Sequence, residues 1–187
     1  MCSYCPQGKL MDTYKGEKVL RLENFEKMLK NVPKDVQIHF SGFGEAFVNK
    51  DGHEMVKRSY EEGYEVHVYT TTVGLKVEEL EGIHFGEFHV HDIGKAKHVP
   101  YADIVEKINN PISRGGNLWD IEEKQQPLIC TRSATFEQNV MLPNGDVYLC
   151  CMDWSLKHRL GNIFTTNFNN LKRDKQYDLC KTCEKSQ

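Results

Sequence analysis

The sequence predicts an α/β protein: parallel strands joined by helices, then a small C-terminal β-hairpin-plus-helix region rich in cysteine. Three observations predict it. Strand-like and helix-like segments alternate three times between Leu22 and Ile108. That order gives parallel strands with right-handed crossovers. Two of the strand-like segments run into loops of special composition, Ser41-Gly42-Phe43-Gly44-Glu45 and Thr70-Thr71-Thr72-Val73-Gly74. Third, the style changes at Asn110–Gly116, after which an Asn-Gly turn between two apolar runs signals a hairpin.

In order, residues 8–20 are polar with two glycines and read as a loop. Leu22, Phe25, Met28, Leu29 and Val32 follow helical spacing until Pro33. Val36–Phe40 reads as the first strand. Asn49 or Asp51 can cap a second helix carrying Met55, Val56, Ser59 and Tyr60, which Gly63 stops. Tyr64–Tyr69 is the second strand, a short helix follows near Lys76–Glu81, and Phe85–His91 is the third strand. Pro100 then opens a predicted helix with Tyr101, Ile104, Val105 and Ile108. The hairpin is Gln138–Leu142, Pro143–Asp146 and Val147–Cys150, and a short helix is expected around Asn169–Asp174. The expected domains are 1–112 and 113–187.

The formal net charge of −3 leaves no basic footprint, so nucleic acid is not an expected partner. No apolar run has membrane-spanning length and no signal peptide is visible, so the expected location is cytoplasmic. Seven cysteines are many for a reducing compartment, and their odd count argues against a closed disulfide framework. They fall at Cys2 and Cys5, at Cys130, Cys150 and Cys151, and at Cys180 and Cys183.

Cys130, Cys150, Cys180 and Cys183 can close a tetrahedral metal site or hold a [4Fe–4S] cluster. Cys150 and Cys151, neighbours at a strand end, are expected to point to opposite faces, leaving one of them spare. Cys2 and Cys5 supply two ligands or one redox pair. A thioredoxin-like pair would follow a strand and open a helix, and nothing precedes this one.

In these motifs the chain resembles a radical S-adenosylmethionine (SAM) enzyme with a C-terminal twitch, or half-SPASM, auxiliary-cluster domain. Met1-Cys2-Ser3-Tyr4-Cys5-Pro6 is similar to the last two cysteines of the family's Cys-x3-Cys-x2-Cys motif. Gly42-Phe43-Gly44-Glu45 resembles its Gly-Gly-Glu loop. Cys130, Gly145-x4-Cys150 and Cys180-x2-Cys183 resemble its auxiliary pattern. The chain departs from the family in placing the first cluster cysteine upstream of Met1, in lacking the strand before the motif, and in having Ala46 where proline is common. The resemblance thus implies a partial (β/α) barrel, and the sequence reads as a fragment or as one that has lost segments.

The resemblance also implies cofactors and roles. Two [4Fe–4S] clusters and SAM are expected. Cys2 and Cys5 would ligate the first cluster, and Cys130, Cys150, Cys180 and Cys183 the second. Tyr4, Gly42, Gly44, Glu45, Thr71 and Thr72 are candidates for holding SAM, although a plain glycine-rich turn and strand-end threonines account for the same residues. His89 and His91, on one side of a strand, are candidate bases over the substrate, and Arg114 a candidate partner for a carboxylate. Ordinary core histidines and a surface arginine are the alternatives. The implied activity is hydrogen abstraction by a 5′-deoxyadenosyl radical from a small polar sugar, cyclitol or peptide substrate. The auxiliary cluster would accept an electron, and a flavodoxin or ferredoxin would donate one. The rival readings are a zinc-binding or degenerate relative acting as a binding module, and a thiol oxidoreductase.

Overall fold

The computed structural model describes residues 5–91, 98–105, 112–125 and 128–187. The chain divides into two compact units, one within residues 19–109 and the other combining residues 1–18 with 110–187. The boundary expected from the sequence is 112/113, with residues 1–112 as one domain. The first eighteen residues, however, group with the cysteine-rich part and not with the sheet that follows them.

The 19–109 unit is a four-stranded parallel sheet in the order β1-β2-β3-β4, formed by Ile38–Phe40, Val66–Thr70, Glu87–Val90 and Ile104–Val105. Phe40, Val68 and Phe88 lie in register on one face, and all three are buried. Helix α2 (Leu22–Leu29) buries Phe25, Met28 and Leu29, and the Phe25 ring lies 5.8 Å from that of Phe40. Each buried side chain of this size contributes about 1.5–3 kcal/mol. The Tyr64 hydroxyl reaches the carbonyls of Leu29 and Val32 at 2.8 and 2.9 Å and so closes the end of α2.

Helix α3 (Gly52–Glu61) buries Met55, Val56 and Ser59 as the spacing predicts. It ends at Gly63, whose φ of +86° is the left-handed turn that glycine adopts without a Cβ penalty. Asp51 is its N-cap residue but makes no side-chain cap bond; its carboxylate accepts from the N–H of Leu22 at 3.4 Å.

Two expectations fail here. The helix predicted after Pro100 is instead β4, where Ile104 and Val105 pair with His89 and Val90. Spacing of three and four fits a helix, but adjacent β-branched residues favour extended backbone, and pairing with β3 decides it. Ile108 lies outside the described residues. Residues 8–20, read as a loop, contain helix α1 (Gln7–Thr13), which buries Leu10. Gly8 and Gly16 masked the short run of helix formers between them.

In the other unit, β5 (Val140–Met141), β6 (Asp146–Tyr148) and β7 (Arg159–Asn162) form an antiparallel sheet in that order. The Asn-Gly turn joins β5 to β6, with Gly145 at φ +82°. β7 was not foreseen. Its Arg159 and Asn162 both bond Asp146 across the strands, at 2.8 and 3.0 Å. The helix expected near Asn169–Asp174 is one 3-10 turn, Phe168–Asn170.

Candidate functional site

Glu45 brings two of the sequence's candidate loops together. One of its carboxylate oxygens accepts from the Thr70 hydroxyl at 2.8 Å. The other accepts from both the N–H and the hydroxyl of Thr71, each at 2.7 Å. The loops therefore meet at the carboxyl ends of β1 and β2, where open parallel sheets bind ligands. Three of about four acceptor positions on the carboxylate are filled, leaving one for an ammonium.

Backbone contact locks the pair further. A Cβ on Gly74, at φ +79°, would lie 2.2 Å from the Phe47 carbonyl oxygen. Thr72 holds φ +68°, rare for a β-branched residue, while its N–H donates to the Thr70 hydroxyl at 2.8 Å. Gly42 has φ +98°. Around Gly44 there is open space, which leaves its backbone approachable. Thr70, 1% exposed, was not among the sequence candidates. Only its place at the end of an alternating strand pointed to it.

On the sheet face opposite Phe40, Val68 and Phe88 stand His39, His67, Glu87, Tyr69 and His89. The His89 and His91 rings stack at 4.7 Å, so these two candidates share a side as predicted. Tyr69 lies 5.4 Å from His89 and donates a very short hydrogen bond to Glu87. His67 meets Glu65 at 2.9 Å and stacks on His39 at 4.4 Å. Burial, helped by His67, lowers the pKa of His39. Sequence reasoning missed these partners because each alone is an ordinary strand residue.

Arg114 belongs to the other unit. It has φ +56° in a turn with Gly115 and Gly116 that supports the cysteine-rich segment. The Gly115 N–H donates to Glu184 at 3.1 Å, and its carbonyl accepts from Thr182 at 3.1 Å. Cys5 is half-buried just before α1. Cys2, Tyr4 and Asn110 lie outside the described residues.

The second site is a cavity lined by Cys130, Cys150, Cys151, Cys180 and Cys183. Cys130 is positioned by strand-like pairing of residues 129–131 with 185–187: Ile129 and Gln187 exchange bonds of 2.8 and 3.0 Å, and the Thr131 N–H donates to Lys185 at 2.8 Å. Cys180 and Cys183 sit in and just after a 3-10 turn, Asp178–Thr182. Cys150 follows β6.

Backbone N–H groups of this segment point at sulfur. The Lys185 N–H donates to the Cys183 sulfur at 3.4 Å, and the Met152 N–H donates to that of Cys150. Burial pushes the Cys150 thiol up to about 12, despite the Met152 N–H and reinforced by Cys151 and Cys183. Burial likewise pushes Cys180 up to about 11, with Cys183 and Cys130 adding to it. Burial raises Cys183 too, opposed by the Lys185 N–H and the Lys124 charge and reinforced by Glu184 and Cys130. Cys150, Cys180 and Cys183, three thiols that resist ionisation together, are what a polynuclear cation can deprotonate, with metal binding releasing the protons.

Cys150 and Cys151 do not alternate as strand residues. β6 ends at Tyr148, the pair lies in a turn, and both line the cavity. Cys151 differs in accepting a hydrogen bond from Arg132 at 3.6 Å. Among the described residues no three His, Cys, Asp or Glu side chains form a single-ion site. Ligands on one tetrahedral zinc would stand about 3.8 Å apart, given Zn–S bonds of about 2.3 Å. A four-iron cube takes each thiolate on a different iron and accepts a wider set.

Residues 130–184 match the SPASM iron–sulfur cluster-binding domain, the class of auxiliary domain that the family resemblance implies. Two solved structures share the fold. BtrN in complex with AdoMet and 2-DOIA is 19% identical, with a TM-score of 0.70 over 98% of this chain and 87% of that one. BtrN in an open conformation is 18% identical, with a TM-score of 0.65 over 98% and 85%. No curated protein matches the sequence significantly. Among the described residues no helix is long and apolar enough to cross a membrane.

Proposed function

We propose that this chain, with the fold of BtrN and a SPASM iron–sulfur domain, is a radical SAM oxidoreductase acting on a small polar substrate. A sugar or cyclitol fits the polar sheet face, and a peptide residue is the other substrate class. One observation carries the reading: Cys130, Cys150, Cys180 and Cys183 line one cavity inside the stretch that matches an iron–sulfur domain.

Cys2 and Cys5 would hold a [4Fe–4S] cluster able to supply the electron for radical formation from AdoMet, and Cys130, Cys150, Cys180 and Cys183 would hold a second one able to take an electron back. Glu45, its carboxylate fixed by Thr70 and Thr71, would hold the ammonium of AdoMet. Gly42 and Gly44 let the ligand approach the backbone. His89 or His91 accepts the proton released when an alcohol carbon becomes a carbonyl. Tyr69 and His67, tied to Glu87 and Glu65, orient that face of the sheet. The first electron comes from a flavodoxin or ferredoxin.

Anaerobic reconstitution followed by iron, sulfide and zinc analysis, with an assay for 5′-deoxyadenosine from AdoMet, tests the proposal. Iron and sulfide with 5′-deoxyadenosine formation support it. Zinc without sulfide overturns it in favour of a binding module.

A further inference from the structure

We infer that Lys124 sets the reduction potential of the auxiliary cluster, raising it by holding a fixed positive charge behind the Cys180–Cys183 turn. The inference rests on the proposed function, since it requires a cluster at the four cysteines.

Lys124 is seated by both its backbone and its side chain. Its N–H donates to the Lys181 carbonyl at 2.9 Å, inside the 3-10 turn that carries Cys180. Its ammonium donates to the carbonyl of Cys183 at 2.9 Å, to that of Ser186 in a very short bond, and towards the Ser186 hydroxyl at 3.4 Å. An ammonium has three donors, and three acceptors surround this one. Ser186, 3% exposed, also donates to the carbonyls of Cys180 and Cys183, the latter at 2.9 Å, so lysine, serine and both cysteines form one hydrogen-bonded piece.

All these partners of the ammonium are neutral, so none of them cancels its charge. Glu184, whose carboxylate accepts from the Gly115 N–H at 3.1 Å, is the nearby charge of opposite sign, and its effect on Cys183 opposes that of Lys124. The other cations around the cavity are placed differently. Arg132 is exposed and meets the spare thiol Cys151 at 3.6 Å, and Lys185 contributes its backbone N–H to Cys183 at 3.4 Å.

Four thiolates make a cluster anionic, and reduction adds a further negative charge. A cation held at fixed distance in a part-buried seat favours the reduced form. Charge and hydrogen bonds near the sulfurs are the levers by which a protein tunes such a couple. An electron acceptor for a substrate radical benefits from that direction of shift. Lys124 is thus a positioning residue that works through the turn, with no contact to substrate.

The test uses the full chain, reconstituted anaerobically, in a Cys5→Ala background so that the auxiliary cluster is read alone by redox titration with electron paramagnetic resonance. Lys124→Met is expected to lower the ratio of reduced to oxidised cluster at a fixed poise at least tenfold, which is about 59 mV for a one-electron couple. Lys124→Arg keeps the charge and is expected to stay within threefold of the parent. Full iron with an unchanged ratio in Lys124→Met overturns the inference. So does loss of iron and sulfide in both Lys124→Met and Lys124→Gln while Lys124→Arg retains them, since that makes Lys124 a brace for the turn. Absence of sulfide from the parent protein overturns the proposed function itself, a result distinct from either.

Discussion

Glu45 is bound to Thr71 twice, through the backbone N–H and through the hydroxyl, each at 2.7 Å. A carboxylate in that position is a fixed acceptor with a charge to offer. Glu45→Gln preserves shape but removes the charge and turns one acceptor into a donor. Hydrogen bonds to charged groups contribute about 1.5–3 kcal/mol, so the Kd for AdoMet is expected to rise roughly ten- to hundredfold. Equilibrium dialysis of reconstituted protein measures it, and an unchanged Kd removes Glu45 from the site.

The contact of Gly74 with the Phe47 carbonyl predicts an asymmetry between two glycines. Gly74→Ala meets both a positive φ and a backbone oxygen 2.2 Å away, whereas Gly63→Ala meets a positive φ with nothing within 4 Å. The first is expected to cost upwards of about 2 kcal/mol and the second about 1 kcal/mol. Denaturant titration of the two variants checks the order. Equal losses would mean that the backbone gives way at Gly74.

Cys150 and Cys151 line the same cavity, yet different consequences are expected. Cys150→Ala or Cys130→Ala removes one of four cluster ligands and is expected to lower bound iron by roughly half when two clusters are present. Cys151→Ala loses only a contact with Arg132 and is expected to retain full iron. Iron and sulfide per chain separate the two, and equal loss in both would make Cys151 a ligand.

His53 gives the 19–109 unit a pH dependence. It is 5% exposed, and its Nε2 lies 2.9 Å from the Lys76 N–H, an arrangement that requires the neutral ring to accept there. Burial lowers its pKa from 6.5, opposed by Glu79. The unfolded chain therefore binds the proton more readily. The contribution of His53 to stability is complete above about pH 6.5 and is lost as pH falls through that value towards the folded-state pKa. His53→Gln keeps a side-chain acceptor without titrating and is expected to flatten this part of the stability profile. Denaturant midpoints from pH 5 to 8 measure it, and parallel profiles would assign the loss elsewhere.

Much of this was legible in the sequence because the signals were periodic or compositional. Phe25, Met28 and Leu29 mark a helix face, Val66 and Val68 a strand face, and Asn144-Gly145 a hairpin turn. Each is a local preference that packing reinforces. What was not legible depends on distant partners. Ile104 and Val105 satisfy either periodicity until Val90 and His89 pair with them. Arg159–Asn162 contains a glycine and two polar residues, and becomes a strand only beside Asp146 and Tyr148. The cysteines were found by spacing, but the separate faces expected for Cys150 and Cys151 assumed a strand that stops at Tyr148. Lys124 carries no signature at all, since its role lies in the carbonyls that surround it.

Residues 185–187 run beside residues 129–131, and Ser186 also receives Lys124. A proteolytic nick between Cys183 and Lys185 would leave every cysteine in place. It would still free the strand partner of Cys130 and one side of the lysine's seat. Such nicked protein should shed iron on gel filtration while its mass spectrum still accounts for all seven cysteines.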